Sequence, residues 1–255
     1  MGVILKSRRE IDAMREAGRV VATILERLRE AARPGVSTGE LDELAAALIR
    51  EHGVKSAFLG YGPGGLPPYP GVLCASINEE IVHGIPSRKR ILKEGDIISL
   101  DFGVMKDGWY GDSAITVGVG RISEEAARLV EATRRCLEIG IEQARVGNRL
   151  YDIGAAIQSY AEGLGYGVTR DFVGHGIGRR MHEDPQVPNC GRAGQGIRLK
   201  AGMVLAIEPM INEGTWEVDI LEDQWTAVTA DRRLSAHFEH TVAITEDGPE
   251  ILTLP

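Results

Sequence analysis

The sequence lacks the features that mark secreted and membrane-spanning proteins. It has only three cysteines, Cys74, Cys136 and Cys190, an odd number at wide spacings. They offer no disulfide framework and no zinc-ribbon spacing, which favours a reducing compartment. No apolar run approaches the roughly 20 residues of a membrane span, and the apolar stretch near the start is too short for a signal peptide. We therefore expect a cytoplasmic protein that does not enter a membrane.

An excess of basic residues is also missing. The chain carries 29 Lys and Arg against 37 Asp and Glu, a formal net charge of −8. This balance argues against a surface for sequence-specific or general nucleic-acid binding, and the short run Arg88-Lys89-Arg90 is typical of a solvated turn. With 255 residues, 43% of them hydrophobic, the chain can bury a large core in one α/β domain or two smaller ones.

A β-hairpin that carries two aspartates is predicted in the middle of the chain. Residues 97–100 and 114–117 are β-rich, and Lys106-Asp107-Gly108 supplies a turn between them. A turn centred between residues 106 and 107 places Asp101 opposite Asp112, whereas an Asp107-Gly108 turn makes them diagonal neighbours. Either register puts both carboxylates on one face, roughly 5–8 Å apart. Their repulsion indicates a bound cation; a solvated hairpin with acidic residues near its tip is the alternative.

The rest of the chain predicts two pairs of helices, each leading into strands. A loop rich in Gly and Pro, from Gly60 to Gly71, follows the first pair. The predicted helices cover residues 8–32, from a Ser37/Glu40 capping box to about His52, from Ser123 to about Ala144, and 150–163. The predicted strands cover 72–76, 81–83, 168–173, 203–207, 224–229 and 238–244.

The two helix pairs share a weak internal repeat. Three residues recur 112 positions later, where Gly35, Leu41 and Gly53 become Gly147, Ile153 and Gly165. This hints at a duplicated α+β unit with a site between its halves; chance similarity of two amphipathic helices is the alternative. Because no low-complexity linker divides the chain, we expect a single domain over residues 1–255.

Four further residues combine with the hairpin aspartates. His175 lies in the glycine-rich segment 174–178, and His182 follows it; a lone histidine is more often a packed, hydrogen-bonded residue than a ligand. Glu208 ends an apolar run, and Glu239 interrupts a strand-like segment, so burial of either is costly unless it is paired or binds a metal.

Together, Asp101, Asp112, His175, Glu208 and Glu239 form a ligand set for two divalent cations about 3.5–4 Å apart. One imidazole with four carboxylates suits Mn, Fe, Co, Ni or Zn. The absence of cysteine from the set disfavours a structural zinc site.

Six motifs in one order resemble the type I methionine aminopeptidases, in a short bacterial-like form. They are CASINEEIVHGIP (74–86), Asp101 with Asp112, GHGIG (174–178), HEDP (182–185), IEP (207–209) and FEHT (238–241). The resemblance covers nearly the whole chain. It implies an α+β pita-bread fold with two pseudo-twofold halves around a dimetal centre. It also implies removal of the initiator methionine from nascent proteins when the second residue is small, through attack of a metal-bound hydroxide on the first peptide bond.

The resemblance further implies a role for each matching residue. Asp101 would hold one metal, Asp112 and Glu239 would bridge two, and His175 and Glu208 would complete the second. His83, His182 and Glu208 would be catalytic: His182 donating to the oxyanion, Glu208 shuttling a proton and His83 positioning the peptide. The remaining matches are the substrate pocket, which adds Tyr69, Cys74, Met181 and Trp225 to the two histidines, and a monovalent-cation site near Asn78 and Ser235. The implied partners are nascent chain N-termini at the ribosome, and the implied state is a monomer.

The sequence departs from the family around the pocket. Met181 stands where the family often has Phe, Phe58 replaces a smaller residue, and the loop from Tyr61 to Pro70 is longer. Three other functions stay open: a proline-directed peptidase of the same fold, a catalytically silent relative that binds RNA or the ribosome, and a metal-dependent hydrolase of a non-peptide amide such as creatine.

Overall fold

The computed structural model describes residues 2–255, which form four α-helices and fifteen β-strands. The helices are α1 (Arg8–Ala31), α2 (Thr38–Glu51), α3 (Glu124–Gln143) and α4 (Leu150–Gly163). The strands are β1 (Lys55–Ser56), β2 (Cys74–Ile77), β3 (Glu80–Val82), β4 (Ile97–Lys106), β5 (Trp109–Gly118), β6 (Gly167–Val168), β7 (Gly174–Gly176), β8 (Glu183–Val187), β9 (Val204–Ile207), β10 (Met210–Asn212), β11 (Val218–Ile220), β12 (Ala227–Thr229), β13 (Ser235–His237), β14 (Glu239–Thr245) and β15 (Gly248–Ile251). None of the helices in this part of the chain has the length and apolar character needed to cross a membrane.

The four predicted helices are confirmed within one or two residues. The capping box at α2 forms as expected, since the Ser37 hydroxyl accepts the Glu40 N–H at 3.2 Å and the Glu40 carboxylate accepts the Ser37 N–H at 2.9 Å. The apolar stripe of α1, including Met14, Val21 and Leu28, is fully buried. Each helix therefore presents one apolar face to the sheet.

A nine-stranded sheet runs through both halves of the chain. Its central order is β1-β4-β5-β14-β9-β7-β8, with β2 also paired to β4 and β15 to β14. Helices α1 and α2 bury their apolar faces in one core with β4, and helices α3 and α4 form a second core with β9 and β14. The sheet thus joins two helix-covered halves.

The internal repeat reappears in the geometry. Helix α4 begins and ends 112 residues after α2. Gly35 and Gly147 precede them with φ of +91° and +95°, in the left-handed region that glycine tolerates. Leu41 and Ile153 are both fully buried. These matches support a duplicated unit rather than chance similarity.

The hairpin takes the second of the two predicted registers. Asp107 and Gly108 form its turn with φ of +50° and +79°, as a two-residue hairpin turn of this type requires. Gly103 therefore faces Asp112, and Asp101 faces Ala114. The two aspartates are diagonal neighbours on one face of the sheet.

Two predicted strands are too long. The strand expected over residues 168–173 is wrong beyond Val168, because β6 pairs with β10 in a small separate sheet before the chain crosses to β7 in the large one. The strand expected over 224–229 shortens to β12, since Gln224 adopts a left-handed φ of +67°. The two β-rich runs of the hairpin extend toward the turn as β4 and β5, and the other predicted strands form with bounds shifted by at most two residues.

Candidate metal centre

Five adjacent strands of the large sheet each bring one predicted ligand to the same place. Asp101 lies on β4, Asp112 on β5, Glu239 at the start of β14 and His175 on β7, while Glu208 directly follows β9. These strands are neighbours in the order β4-β5-β14-β9-β7. Asp101 and Glu239 both pair with Ala114, so the register itself aligns them. All five predicted ligands line one cavity.

The distances between these groups match a site for a cation. The ligand atoms of Asp112, His175 and Glu239 all lie within 4.8 Å of one another. His175 Nε2 lies 3.9 Å from Asp112 Oδ2 and 3.5 Å from Glu208 Oε1. His175 Nδ1 lies 2.9 Å from the carbonyl oxygen of Gly176, which can only accept, so the proton is on Nδ1. Nε2 therefore presents its lone pair to the carboxylates.

The carboxylates lack the partners that buried anions require. Asp101 Oδ1, Asp112 Oδ1 and Glu239 Oε1 are buried without a hydrogen bond within residues 2–255. Burial raises the pKa of Asp101 to about 7. Burial, together with the charges of neighbouring carboxylates, raises the pKa of Asp112, Glu208 and Glu239 well above their ordinary values. Orphaned oxygens beside a neutral imidazole fit divalent cations.

An apolar cavity of about 540 Å³ opens from this acidic floor. Every predicted pocket residue lines it: Tyr69, Cys74, His83, Met181, His182 and Trp225. Phe58 lines it too. So do three residues of the long loop (residues 61–70), namely Tyr61, Pro63 and Leu66. Burial raises the pKa of the Cys74 thiol well above its usual range, so this side chain acts as a small apolar surface. The long loop is thus one wall of the cavity.

The aromatic part of the wall is held by hydrogen bonds to backbone carbonyls. The Tyr69 hydroxyl lies 3.2 Å from the Leu73 oxygen and 3.0 Å from the Gly84 oxygen. The Trp225 indole N–H donates to Pro67 O at 3.0 Å, which ties the long loop to the segment before β12. The rings of Tyr69 and Trp225 meet edge to face, 5.2 Å apart. The polar groups of Tyr69 and Trp225 are therefore satisfied by the protein itself.

Both predicted substrate histidines are neutral and face this cavity. Burial lowers the pKa of His83 to about 4, and the ring lies edge-on to Phe172 and Trp225. Burial also lowers the pKa of His182. The His182 ring packs 4.1 Å from the His175 ring, and its Nδ1 lies 2.7 Å from the Tyr61 hydroxyl. Neutral imidazoles can donate or accept hydrogen bonds, which suits contacts to a peptide.

The two residues predicted near a monovalent cation are adjacent. The Ser235 N–H donates to the Asn78 carbonyl at 2.9 Å. The Asn78 side chain bonds Asp96 and Ile97, and the Ser235 hydroxyl bonds Asn212. Both side chains are already hydrogen-bonded within the protein. The cation site therefore stays a prediction, in which backbone carbonyl oxygens would bind the ion.

Two cavity-lining residues and one buried ion pair beside the site could not be predicted from any sequence motif. Phe172 and Ile220 line the cavity, although neither belongs to a motif. Lys6, near the start of the chain, forms a buried ion pair of 2.7 Å with Glu183, the residue after His182. Only the fold brings these distant segments together.

Comparison with known proteins gives one answer over the whole chain. Residues 12–246 match the model of metallopeptidase family M24. The methionine aminopeptidase of Clostridium acetobutylicum is 52% identical over 252 residues, which are 99% of each chain. Methionine aminopeptidase 1 of Bacillus subtilis is 49% identical over 251 residues, which are 98% of this chain and 99% of the relative. The crystal structure of the Thermotoga maritima methionine aminopeptidase superposes with a TM-score of 0.96 at 46% identity, over 100% of both chains. The pita-bread fold expected from the motifs is thereby confirmed, and the chain belongs to metallopeptidase family M24.

Proposed function

We propose that this protein is a metal-dependent methionine aminopeptidase that removes the first residue when the second is small. The observation that carries the proposal is that five metal-type ligands lie at the floor of an apolar cavity lined by Cys74 and Met181. Full-length similarity to curated methionine aminopeptidases supports the same activity. A methionine side chain needs such a soft, apolar slot.

The ligand roles follow the order of the strands. Asp101 would bind one cation, Asp112 and Glu239 would be shared, and His175 with Glu208 would complete the second position. Two divalent ions, of Mn, Fe, Co, Ni or Zn, would offset the four carboxylate charges. When bound, such cations supply Lewis acidity, which lowers the pKa of water and polarises a carbonyl.

The protein groups around the cavity would bind and orient the peptide. The apolar wall takes the methionine side chain and leaves the first peptide bond above the acidic floor. His182 donates a hydrogen bond to the scissile carbonyl as negative charge develops on its oxygen. Glu208, whose pKa is raised by burial, takes a proton from water and returns it to the leaving amine. His83, held between Phe172 and Trp225, orients the new N-terminus.

The setting of this reaction completes the proposal. The substrates would be the N-termini of nascent proteins in the cytoplasm, close to the ribosome. The chain would act as a monomer and as a single domain. Asn78 and Ser235 would contribute to a monovalent-cation site through their backbone oxygens.

A peptide series tests this function. Metal-stripped protein receives Mn²⁺ or Co²⁺, and the release of free methionine from Met-Ala-Ser and Met-Leu-Ser is measured. Cleavage of Ala-Pro-Ala and of creatine is measured in parallel, because these are the substrates of the rival functions. The expected result is metal-dependent release from Met-Ala-Ser at least tenfold faster than from Met-Leu-Ser. Cleavage of Ala-Pro-Ala in preference to Met-Ala-Ser would contradict the proposal and favour a proline-directed peptidase. Asp112→Asn is the inactive control that excludes a contaminating peptidase.

A further inference from the structure

Two histidines whose rings lie 4.1 Å apart meet different hydrogen-bond partners. His175 Nδ1 faces the Gly176 carbonyl, which can only accept, so Nε2 of this ring carries no proton. His182 Nδ1 instead meets the Tyr61 hydroxyl at 2.7 Å, a group that can donate. The two rings are therefore set up to hold their protons on opposite nitrogens.

We propose that Tyr61 is a positioning residue that fixes His182 in the tautomer with the proton on Nε2. The Tyr61 hydroxyl donates to Nδ1, so Nε2–H remains to face the cavity as a hydrogen-bond donor. The consequence for catalysis rests on the proposed function, in which His182 donates to the scissile carbonyl. Tyr61 would act through His182 without touching the reacting atoms.

The direction of this hydrogen bond follows from what else the tyrosine can reach. Within residues 2–255, His182 is the one hydrogen-bond partner of the Tyr61 hydroxyl. If the hydroxyl accepted from Nδ1–H, its own proton would be left to solvent, whereas donation to Nδ1 gives it a partner in the protein. Burial raises the pKa of Tyr61, so it keeps its proton. A neutral imidazole carries one proton, and a hydrogen-bond partner decides which ring nitrogen holds it.

The backbone holds Tyr61 in place for this contact. Its N–H donates to Phe58 O at 2.8 Å, and its carbonyl accepts the Tyr69 N–H at 2.7 Å, which closes the base of the long loop. The Tyr61 and His182 rings also stack, with centroids 5.2 Å apart and planes 25° from parallel. Stacking fixes the ring plane, and the hydroxyl fixes the proton.

Loss of the hydroxyl should therefore affect turnover more than binding. Tyr61→Phe keeps the stacked ring but lets His182 place its proton on either nitrogen. The ring with Nδ1–H presents a lone pair to a carbonyl oxygen, which repels it. We expect kcat for Met-Ala-Ser to fall about three- to tenfold, in proportion to the share of His182 rings that leave the Nε2–H tautomer and less than on removal of a whole oxyanion donor, with KM changed less than about threefold.

Nitrogen NMR measures the tautomer directly. The protein is labelled with ¹⁵N-histidine and loaded with Zn²⁺, a diamagnetic probe, and the His182 signals are assigned from their loss in His182→Gln. Expected is an Nε2–H tautomer at His182 in the wild type, a mixture of tautomers in Tyr61→Phe, and no change at His175. An Nδ1–H tautomer in the wild type, or an unchanged His182 pattern in Tyr61→Phe, would overturn the proposal.

A neighbouring tyrosine supplies the matched control. Tyr110 on β5 is half-buried and, like Tyr61, packs against an apolar cluster that includes Met14 and Met181, but it does not line the cavity. Tyr110→Phe should leave both the His182 pattern and kcat within about twofold of the wild type. An altered tautomer in Tyr61→Phe with unchanged kcat would also overturn the proposed role. Wild-type protein that shows the expected tautomer but releases no methionine would instead refute the proposed function, so the two failures are distinguishable.

Discussion

The floor and the wall of the cavity are built on opposite principles. On the floor, Asp101, Asp112 and Glu239 each leave a buried oxygen without a partner. On the wall, the polar tips of Tyr69 and Trp225 both bond backbone carbonyls. Buried polar atoms normally find partners, so the floor is completed only by a ligand, whereas the wall is complete as folded. In the proposed function the floor would carry the chemistry, and the wall would select the substrate.

The largest expected effect comes from replacing Asp112, one of the proposed metal ligands on the floor. Asp112→Asn should lower methionine release by more than the roughly 100-fold typical of losing an outer partner of a metal ligand. The same change should raise the free energy of unfolding of the metal-free protein, because it relieves repulsion between buried carboxylates. Peptide assays and urea denaturation measure the two effects.

Asp107→Asn is the control for this substitution. Asp107 lies exposed at the tip of the same hairpin with φ of +50°, which asparagine also adopts readily. Activity and stability should stay close to wild type. A loss of metal-free stability in Asp112→Asn would contradict the view that the floor is strained without cations.

Glu183 is a buried carboxylate that, unlike those on the floor, has its charge paired within the protein. Glu183 bonds Lys6 at 2.7 Å and accepts the backbone N–H groups of Arg179 and Arg180, and the two charged side chains are 2% and 3% exposed. Lys6→Met leaves this anion uncompensated and should cost about 3–5 kcal/mol of stability. Restoration of most of that loss by adding Glu183→Gln is expected in urea denaturation. The exposed pair of Arg233 and Glu213 provides a control, with a change below about 1 kcal/mol.

The pH dependence of stability separates the metal-free and metal-loaded floors. The pKa of folded Asp101 is raised from 3.8 to about 7, so the folded state binds more protons than the unfolded state between these values. The stability that Asp101 contributes to the metal-free protein, measured as the difference from Asp101→Asn, should therefore be lost as pH rises from about 4 to about 7. The comparison with Asp101→Asn is needed because buried histidines such as His83 and His237, whose pKa values are lowered, contribute the opposite slope. With saturating Mn²⁺ the trend should reverse, because cations bind the deprotonated carboxylates. Equal slopes with and without Mn²⁺, in urea titrations at pH 5 and 7, would refute the assignment.

The smallest effect is expected on the wall. Trp225→Phe keeps an aromatic side chain but replaces the indole by a smaller ring. It removes the hydrogen bond to Pro67, a loss of about 1 kcal/mol, and loosens the long loop. KM for Met-Ala-Ser should rise about three- to tenfold, and kcat should change less than twofold. A fall in kcat at constant KM would show that this part of the wall serves the chemistry.

The helices and the ligand set could be predicted from the sequence more accurately than the sheet. Amphipathic periodicity and capping residues are local, so α2 and α4 are found within a residue or two. The hairpin face was also predictable, since alternation puts Asp101 and Asp112 together in either register. Its register depended on turn chemistry, namely the left-handed conformations of Asp107 and Gly108.

What escaped prediction depends on contacts between distant segments. The two-residue strand β6 exists only because β10 pairs with it, so no periodicity marks where it ends. Tyr61 and His182 are 121 residues apart, and Lys6 and Glu183 are 177 apart. Neither pair has a sequence pattern, because a loop and a terminal segment reach the site through the fold alone.

Calorimetric titration of metal-free wild-type protein with Mn²⁺ tests the central claim most directly. It would be run at pH 6.5 in two buffers that differ in their heat of ionisation. Because the floor carboxylates hold protons until a cation replaces them, binding should release at least about one proton per chain. Tight binding with the same heat in both buffers, or no binding, would contradict the account of the floor.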